Sequence, residues 1–341
     1  MSPADGTMAG MDPVLPAPTE ADLAAAAALL MQGRLVGLPT ETVYGLAADA
    51  RNPDAVQAIF ALKQRPADHP LIVHIGTLEE LQAWAAEVPP AALALARAFW
   101  PGPLTMVLPA RPDVPRVVTG GLDTVALRMP AHPVALALLR RLGRGLAAPS
   151  ANRHLRVSPT TADHVREEFG DALPLVLDGG PCTVGIESTI VDLSTGTPRV
   201  LRPGAISAAQ IADCLQRAVD LRPAAGTRAP GLMKRHYSPR ARVECAAPAA
   251  LADRVVAHLA AGLRTAQLSA APPAQPHPSL VWLAAGDTPD ARMQRLYGLL
   301  READALGVEV VVAELPEGGG PAEALRDRLL RAAGQGSVPT D

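Results

Sequence analysis

Short apolar runs typical of buried β-strands alternate with helix signals from about residue 18 to residue 206. The runs lie at 34–38, 71–75, 104–108, 125–129, 145–148, 175–178, 188–193 and 199–201. Residues that favour a helix N-cap stand before the segments between and after them: Thr19, Asn52, Thr77, Ser158 and Ser207. Strands mixed with helices predict an α/β domain with a large sheet.

A stretch rich in proline, glycine and basic residues breaks this pattern at 219–241. Beyond it, strands are predicted at 242–246, 279–284 and 308–314, and helices at 248–262, 288–305 and 321–333. We therefore predict a disordered leader at 1–17, a first domain at 18–210, a linker at 211–241 and a smaller C-terminal α/β domain at 242–335. The length of 341 residues agrees with two domains.

Composition excludes several classes of function. The net charge of −3 gives no global attraction to nucleic acid, although a local basic groove is compatible with it. Three cysteines without a close pair predict neither a disulfide framework nor a cysteine-based zinc site. No window holds 18 uncharged apolar residues, so we expect a soluble, cytoplasmic protein that makes no membrane contact.

Four cationic or titratable residues lie close together in "KQRPADHPLIVHI": Lys63, Arg65, His69 and His74. The first two stand in the last turn of a predicted helix, where cations also offset the negative helix end. His74 lies inside an apolar strand, where a lone histidine is commonly a core residue. Their convergence on one strand nevertheless favours an anion site over these separate explanations.

A charged residue interrupts a second apolar strand in "DTVALRMPAH". Arg128 must be paired there, since an unpaired buried charge is costly. Its partner is either a structural carboxylate or the carboxylate or phosphate of a ligand, which a guanidinium grips with two hydrogen bonds. The local sequence leaves both open.

Short hydrogen-bonding side chains follow other predicted strands. Ser150 and Asn152 stand in "APSANR" at a strand end, where open α/β sheets bind ligands. Ser158 fits a helix N-cap, and a helix N-terminus there would also favour an anion.

The first strand ends in another polar group, "PTETVYGL". We predict that Thr40 and Thr42 point into a cavity, and that Glu41 faces away as a structural partner or a metal-facing group. Tyr44 and Gly45 are predicted to turn the chain away beneath the ligand.

The familiar nucleotide and hydrolase motifs are absent. The sequence has no G-x-x-x-x-G-K-[ST], no G-x-G-x-x-G that opens a helix, no H-E-x-x-H and no G-x-S-x-G. A covalent nucleophile is not expected.

Seven segments in order resemble the Sua5/YrdC/TsaC family of threonylcarbamoyl-AMP synthases over residues 18–210: "PTETVYGL", "KQRPADHPLIVHI", "FWPGPLTMVL", "VALRMPAH", "APSANRHLRVSPT", "IESTIVDLS" and "VLRPGAIS". The later "APGLMKRHYSPRA" and the unit after it resemble the two-domain Sua5 type. The resemblance implies a YrdC-like twisted mixed sheet with flanking helices and a large basic cavity, plus a Rossmann-like C-terminal α/β domain.

The resemblance also implies a reaction. L-threonine, bicarbonate and ATP would give L-threonylcarbamoyladenylate and pyrophosphate, which makes the protein a nucleotidyltransferase. A downstream tRNA threonylcarbamoyltransferase complex would move the group to N6 of adenosine 37 (t6A) in tRNAs that read ANN codons. Mg²⁺ is expected with ATP, with no organic cofactor and no metal site made by the protein.

Residue roles follow from the same resemblance. Lys63 and Arg65 are the expected catalytic residues. The threonine pocket is expected to comprise Thr40, Thr42, His74, Arg128, Ala148 and Ser188. The ATP site is expected to comprise Arg65, His69, Thr124, Ser150, Asn152, Ser158, Arg202 and Tyr237. His69 stands where the resemblance implies an asparagine, in "RPADNPL", and its imidazole could donate one hydrogen bond. A substrate phosphate or bicarbonate is the expected proton acceptor, since no side chain is an obvious base.

Two other functions remain open at this point. A non-catalytic RNA-binding protein of tRNA or ribosome maturation would use the basic cavity as a groove, but the chain lacks the aromatic residues for stacking, so only weak RNA binding is expected. Carbamoyl transfer by a related domain would need acylphosphatase and zinc-finger regions that the sequence lacks. For the linker, our hypothesis is that it closes over the nucleotide, held there by the C-terminal domain.

Overall fold

The computed structural model describes residues 18–221, 228–231 and 233–335. The leader predicted at 1–17 and part of the predicted linker therefore lie outside the described residues. Within the described part, the chain forms two sheets, one mixed and one parallel, each covered by helices. No helix in those ranges is both long enough and apolar enough to cross a membrane.

The first sheet has eight strands: Val36–Leu38 (β1), Gly45–Asp49 (β2), Ile72–His74 (β3), Leu104–Pro109 (β4), Thr124–Arg128 (β5), Leu146–Ala147 (β6), Thr189–Asp192 (β7) and Arg199–Arg202 (β8). Its order is β1-β2-β6-β3-β5-β4-β7-β8. The pairs β3·β5 and β4·β7 are parallel, and the others are antiparallel. In the β3·β5 pair, His74 is opposite Arg128. The last residues of these two strands therefore lie side by side at the carboxyl ends of β3 and β5.

The helices of the first unit are Glu20–Met31 (α1), Pro53–Lys63 (α2), Leu81–Trp84 (α3), Pro90–Phe99 (α4), Arg116–Thr119 (α5), Pro133–Leu142 (α6), Ala162–Phe169 (α7) and Ala208–Leu215 (α8). Thr19 and Ser207 begin α1 and α8 with the capping boxes that their sequences predict. Asn52 caps α2 through its side-chain oxygen. Because α2 and α4 contribute to one core, and α1 and α6 to another, the sheet is buried on both faces.

The second sheet is parallel throughout, in the order β11-β10-β12-β9. Its strands are Arg242–Ala246 (β9), Thr265–Ser269 (β10), Leu280–Ala284 (β11) and Val310–Glu314 (β12), and its helices are Leu251–Ala260 (α9), Pro289–Ala305 (α10) and Pro321–Ala332 (α11). Residues of α10 and α11 share a core with Val43, Val157 and Ile186 of the first unit. The two units are therefore joined by apolar packing.

Three details of the first unit differ from the sequence-based expectation. Gly45–Asp49 does not turn away but forms β2, whose Leu46 and Ala48 pack in one core while Ala47 packs in the other. A strand buried on both faces shows no polar alternation, which hid it. The run at 175–178 makes only an isolated bridge between Val176 and Gly37. Thr77 caps no helix, because α3 is a single turn that begins at Leu81.

The C-terminal unit contains one strand that the sequence pattern did not predict. Thr265–Ser269 forms β10, which pairs with both β11 and β12 in the interior of the parallel sheet. Its residues, "TAQLS", are short and mostly polar, so no apolar run marks it. The boundary predicted at residue 210 falls inside α8.

We predict that Tyr44→Phe lowers the free energy of unfolding by about 1–3 kcal/mol. The buried Tyr44 hydroxyl donates to the Gly180 carbonyl at 2.7 Å and accepts from the Gly179 amide at 3.1 Å, so both groups lose a partner. Urea denaturation measures the change. Met31→Leu, at an exposed position, serves as the control with little expected change. An unaltered midpoint for Tyr44→Phe would show that this bridge contributes nothing.

Candidate active site

A cavity that is partly open to solvent lies where β3 and β5 end. It is lined by Thr40, Thr42, Val43, Gly45, Arg65, Leu71, Ile72, His74, Arg128, Ala148, Pro149, Ser150, Glu187, Ser188, Arg202, Pro230, Gly231, His236 and Tyr237. All six residues predicted for the threonine pocket are in this set, and so are four of the eight predicted for ATP. The sequence segments quoted above therefore meet in one place.

Thr40 and Thr42 form a small hydrogen-bonded group at one side of the cavity. The Thr40 hydroxyl donates to the Val43 carbonyl at 2.6 Å and lies 2.9 Å from the Thr42 hydroxyl. Arg128 Nη1 donates to the Thr42 hydroxyl at 2.8 Å. These bonds fix the two hydroxyl groups and the guanidinium relative to one another.

Arg128 has a structural carboxylate as its partner. Its Nη2 lies 2.7 Å from Glu41 Oε1, and both side chains are almost fully buried. Its Nε donates to the Gly102 carbonyl at 3.2 Å. Glu41 is thus the structural partner that the sequence left open, and the pair holds a positive group at the cavity wall without an unpaired buried charge.

His74 is buried beside Arg128 and is held neutral. Burial and the Arg128 charge lower the pKa of His74 to about 3. Its Nδ1 has no hydrogen-bond partner among the described residues. A neutral imidazole with an unsatisfied ring nitrogen at a cavity wall can serve a polar group of a ligand.

Arg65 and Arg202 supply the other fixed charges. Arg202 donates from Nε and Nη2 to the Ser188 carbonyl at 3.1 and 2.9 Å, and from Nη1 to the Pro230 carbonyl at 3.1 Å. Arg65 Nη2 donates to the Pro70 carbonyl at 3.1 Å, whereas its buried Nε has no partner among the described residues. Burial lowers the pKa of Arg65 to about 10, so it remains charged at neutral pH. Bonds to neutral carbonyls leave both charges available to an anion.

Lys63 lies behind the cavity wall and does not line the cavity. Its Nζ donates to the carbonyls of Ser150 and Asn152. Burial and the Arg65 charge lower the pKa of Lys63 well below its usual value. In this structure Lys63 fixes the loop that carries Ser150.

Four of the eight residues predicted for the ATP site also lie outside the cavity lining: His69, Thr124, Asn152 and Ser158. Thr124 begins β5, about 13 Å along the strand from Arg128. Asn152 donates to the carbonyls of Arg153 and Arg156. His69 is partly exposed, and its ring makes an edge contact with His154 at 5.9 Å. Burial, followed by the Arg65 charge, lowers the pKa of His69.

Ser158, the last of these four predicted ATP residues, is not a helix N-cap. Helix α7 begins one turn later, capped by Thr161. The buried Ser158 hydroxyl instead donates to Glu187 Oε1 at 2.6 Å. The helix terminus expected at Ser158 is therefore absent.

Sequence reasoning missed two polar residues of the lining, Glu187 and His236. Glu187 was quoted only as the residue before Ser188, and His236 only as part of "KRHYSP". The signal that could have indicated His236 was its neighbour Tyr237, which was predicted to lie in the ATP site. The buried His236 Nδ1 and Tyr237 Oη have no partner among the described residues, as is also true of Arg65 Nε and His74 Nδ1. Unsatisfied polar atoms on one cavity indicate a polar ligand.

A resident metal does not fit this set of residues. No group of three histidine, cysteine, aspartate or glutamate side chains with suitable placement occurs among residues 18–221, 228–231 and 233–335. Glu187 lines the cavity, but both of its carboxylate oxygens already accept hydrogen bonds. The electrostatics of the cavity therefore come from arginine.

Comparisons with known proteins identify the family to which both units are similar. The Sua5/YciO/YrdC family, described as "telomere recombination", matches residues 28–204, and the family "Threonylcarbamoyl-AMP synthase, C-terminal domain" matches residues 206–334. The threonylcarbamoyl-AMP synthase of Pyrococcus abyssi (strain GE5 / Orsay) is 41% identical over 321 residues, which cover 91% of this chain and 93% of the relative. That of Bacillus subtilis (strain 168) is 38% identical over 323 residues, covering 92% and 93%.

A solved structure shares the whole arrangement. The crystal structure of P. abyssi Sua5 complexed with L-threonine matches with a TM-score of 0.85 at 40% identity. The match covers 92% of this chain and 94% of that one. Both sheets therefore belong to an architecture that recurs in this relative.

We predict that His74 makes the protein less stable at acidic pH. Unfolding raises the pKa of His74 from about 3 to about 6.5, so the unfolded chain binds a proton that the folded chain does not. Stability must then fall as the pH decreases below about 6.5. Between pH 7.5 and 5.0 this group alone should remove about 2 kcal/mol of unfolding free energy.

Urea denaturation of the wild type and His74→Gln at both pH values isolates this contribution, because other buried histidines affect both proteins equally. The variant should lose about 2 kcal/mol less than the wild type. Equal losses in the two proteins would contradict the neutral, buried state of His74.

Proposed function

The chain belongs to the Sua5/YciO/YrdC family, and from that premise we propose that it is an L-threonylcarbamoyladenylate synthase of the two-domain Sua5 type. The main support for this proposal is that residues predicted to bind threonine line the same cavity as the arginines predicted to bind ATP. These residues are Thr42, His74, Arg128 and Ser188 for threonine, and Arg65 and Arg202 for ATP. Relatives that carry this enzyme's name are about 40% identical over most of the chain.

Threonine is proposed to bind at the side of the cavity formed by Thr42, His74 and Arg128. The Arg128 guanidinium is pinned by Glu41 and Gly102 and meets the ligand carboxylate with its remaining N–H groups. The Thr42 hydroxyl and the unpartnered His74 ring nitrogen are placed for the amino and hydroxyl groups. A related protein of the same architecture has been solved with L-threonine.

ATP is proposed to bind beside it, with its phosphates facing Arg65 and Arg202. The threonine amine and bicarbonate join through a new N–C bond with loss of water, which gives a carbamate. A carbamate oxygen then attacks the α-phosphorus of ATP while the bond to pyrophosphate breaks. Negative charge accumulates around the α-phosphate during this step, so fixed cations and correct positioning supply most of the catalysis.

Arg65, whose Nε has no partner among the described residues, is proposed as the catalytic residue that contacts the reacting phosphate. Lys63 is proposed to act by holding the loop at Ser150. No side chain of the cavity is an obvious base for the threonine amine. A phosphate oxygen or bicarbonate is therefore proposed as the proton acceptor. Mg²⁺ is proposed to enter as part of the MgATP substrate, because the described residues that line the cavity offer no free carboxylate to hold it.

Part of the predicted linker is proposed to close over the nucleotide. The cavity is lined in part by four residues of this linker, Pro230, Gly231, His236 and Tyr237. Arg202 donates to the Pro230 carbonyl, and Arg228 Nη1 donates to the Asp68 carbonyl at 3.0 Å. The product would pass to a tRNA threonylcarbamoyltransferase complex that forms t6A at position 37.

We predict that the full-length protein, given ATP, bicarbonate and L-threonine, forms threonylcarbamoyladenylate and one pyrophosphate per molecule of product. Mass spectrometry and a pyrophosphate assay measure the two products. Arg65→Ala should lower the rate by about 100-fold or more, since one fixed charge at the reacting phosphate is lost. Pyrophosphate release that needs neither threonine nor bicarbonate would contradict the proposal. Thermal stabilisation by short RNA, and not by ATP with threonine, would favour the RNA-binding alternative.

We predict that Thr42→Ala raises the KM for threonine by about tenfold and leaves the KM for ATP within about twofold. The substitution removes a hydroxyl that also positions Arg128 on the threonine side of the cavity. Steady-state kinetics with each substrate varied in turn separates the two constants. Thr195→Ala, in an exposed loop, is the matched control. Equal increases in both constants would place Thr42 outside the threonine pocket.

A further inference from the structure

Glu187 is a buried carboxylate that side chains from both units contact. Its Oε1 accepts from the Ser158 hydroxyl of the first unit at 2.6 Å. Its Oε2 accepts from the Tyr297 hydroxyl at 2.8 Å and from Arg328 Nε at 2.9 Å. Tyr297 lies in α10 and Arg328 in α11, so two helices of the C-terminal unit reach one residue of the cavity wall.

All three guanidinium nitrogens of Arg328 donate hydrogen bonds. It is completely buried, and it donates from Nη1 to Asp327 Oδ2 at 2.5 Å. Its Nη2 donates to the Pro203 carbonyl at 3.1 Å and to the Glu187 carbonyl at 3.4 Å. The guanidinium therefore binds both the side chain and the backbone of Glu187.

The charge of Glu187 depends on this partner. Burial by itself raises the pKa of Glu187, but the Arg328 and Arg202 guanidiniums, with the hydrogen bonds from Ser158 and Tyr297, bring it below its ordinary value. A buried carboxylate that loses its arginine must take up a proton, admit water or move.

The position of Glu187 decides what a shift would disturb. The next residue is Ser188, whose carbonyl accepts two hydrogen bonds from Arg202. The Ser188 hydroxyl lies 2.7 Å from the Thr105 hydroxyl and accepts from Arg202 Nη2 at 3.2 Å. Displacement of the backbone at 187–188 would therefore move Ser188 and Arg202, which face the two proposed substrates.

We propose that Arg328 and Tyr297 of the C-terminal unit are positioning residues of the active site, which act by fixing the Glu187 carboxylate and, through it, Ser188 and Arg202. The inference rests on the proposed function for what binds in the cavity. It gives the C-terminal unit a specific role, in which two of its buried side chains complete a wall of the cavity on the first unit. Neither residue touches substrate in this account.

The test is a double-mutant cycle in the full-length protein with Arg328→Met, Glu187→Gln and the combined variant. Arg328→Met is expected to reduce kcat/KM for threonine-dependent pyrophosphate release by tenfold or more. If Arg328 acts through the Glu187 charge, the combined variant loses much less than the product of the two single losses. Arg292→Met, which breaks the Arg292–Glu314 pair inside the C-terminal unit at 3.3 Å, is the matched control and should keep wild-type activity.

A second variant keeps the proposal testable if Arg328→Met fails to fold. Tyr297→Phe retains the ring, which stacks on Tyr237 at 5.5 Å, and removes only the hydroxyl bonded to Glu187. It is expected to lower kcat/KM several-fold. It should also shift the acidic limb of the activity profile to higher pH, because Glu187 loses a donor that stabilises its charged form.

Wild-type activity in a folded Arg328→Met protein would overturn the inference. So would independent, multiplicative losses in the cycle, or a Tyr297→Phe protein with the rate and pH profile of the wild type. The proposed function is judged separately, by whether the wild type makes the product at all. If it does not, calorimetric titration of ATP into the same variants decides the inference, which predicts weaker binding for Arg328→Met and unchanged binding for Arg292→Met.

Discussion

The ion pair between Glu187 and Arg328 lies where the two units of the protein meet, with Arg328 fully buried and Glu187 almost so. Without Arg328, the Glu187 carboxylate would be a buried charge without its ion-pair partner, which is strongly unfavourable. Tyr297 and Ser158 also donate to Glu187, and Arg328 also donates to Asp327 and to the Pro203 carbonyl. Apolar contacts between the units accompany this network, in the core that α10 and α11 share with Val43, Val157 and Ile186.

The same rule shapes the rest of the cavity. Arg128 is paired with Glu41, whereas Arg65 and Arg202 bond to neutral carbonyls and retain their positive charge for a ligand. The sheet supplies the frame, since β3 and β5 bring His74 beside Arg128 in register. A cavity organised in this way has its cations in position before substrate arrives, which is what a reaction between crowded anions requires.

Much of the fold could be predicted from the sequence, and all six residues predicted to bind threonine line one cavity. Apolar runs marked strands such as Leu104–Pro109, and the capping residues Thr19 and Ser207 marked their helices. Strands β2 and β10 could not be predicted from the sequence pattern. Strand β2 is buried on both faces and shows no alternation, and β10 is short and mostly polar. Lys63 and Ser158 were assigned by motif, yet their contacts are with loop carbonyls and with Glu187. Glu187 itself could not be assigned from its segment alone, since its partners are 110 and 141 residues away in sequence.

The proposed placement of threonine at Arg128 can be tested by a structure of the protein with bound L-threonine. We predict that the threonine carboxylate lies within hydrogen-bonding distance of Arg128, with its amino and hydroxyl groups beside Thr42 and His74. We also predict that the Glu187–Arg328 pair is retained in the complex. Threonine bound elsewhere in the cavity, with Arg128 still occupied only by Glu41, Thr42 and Gly102, would contradict this placement.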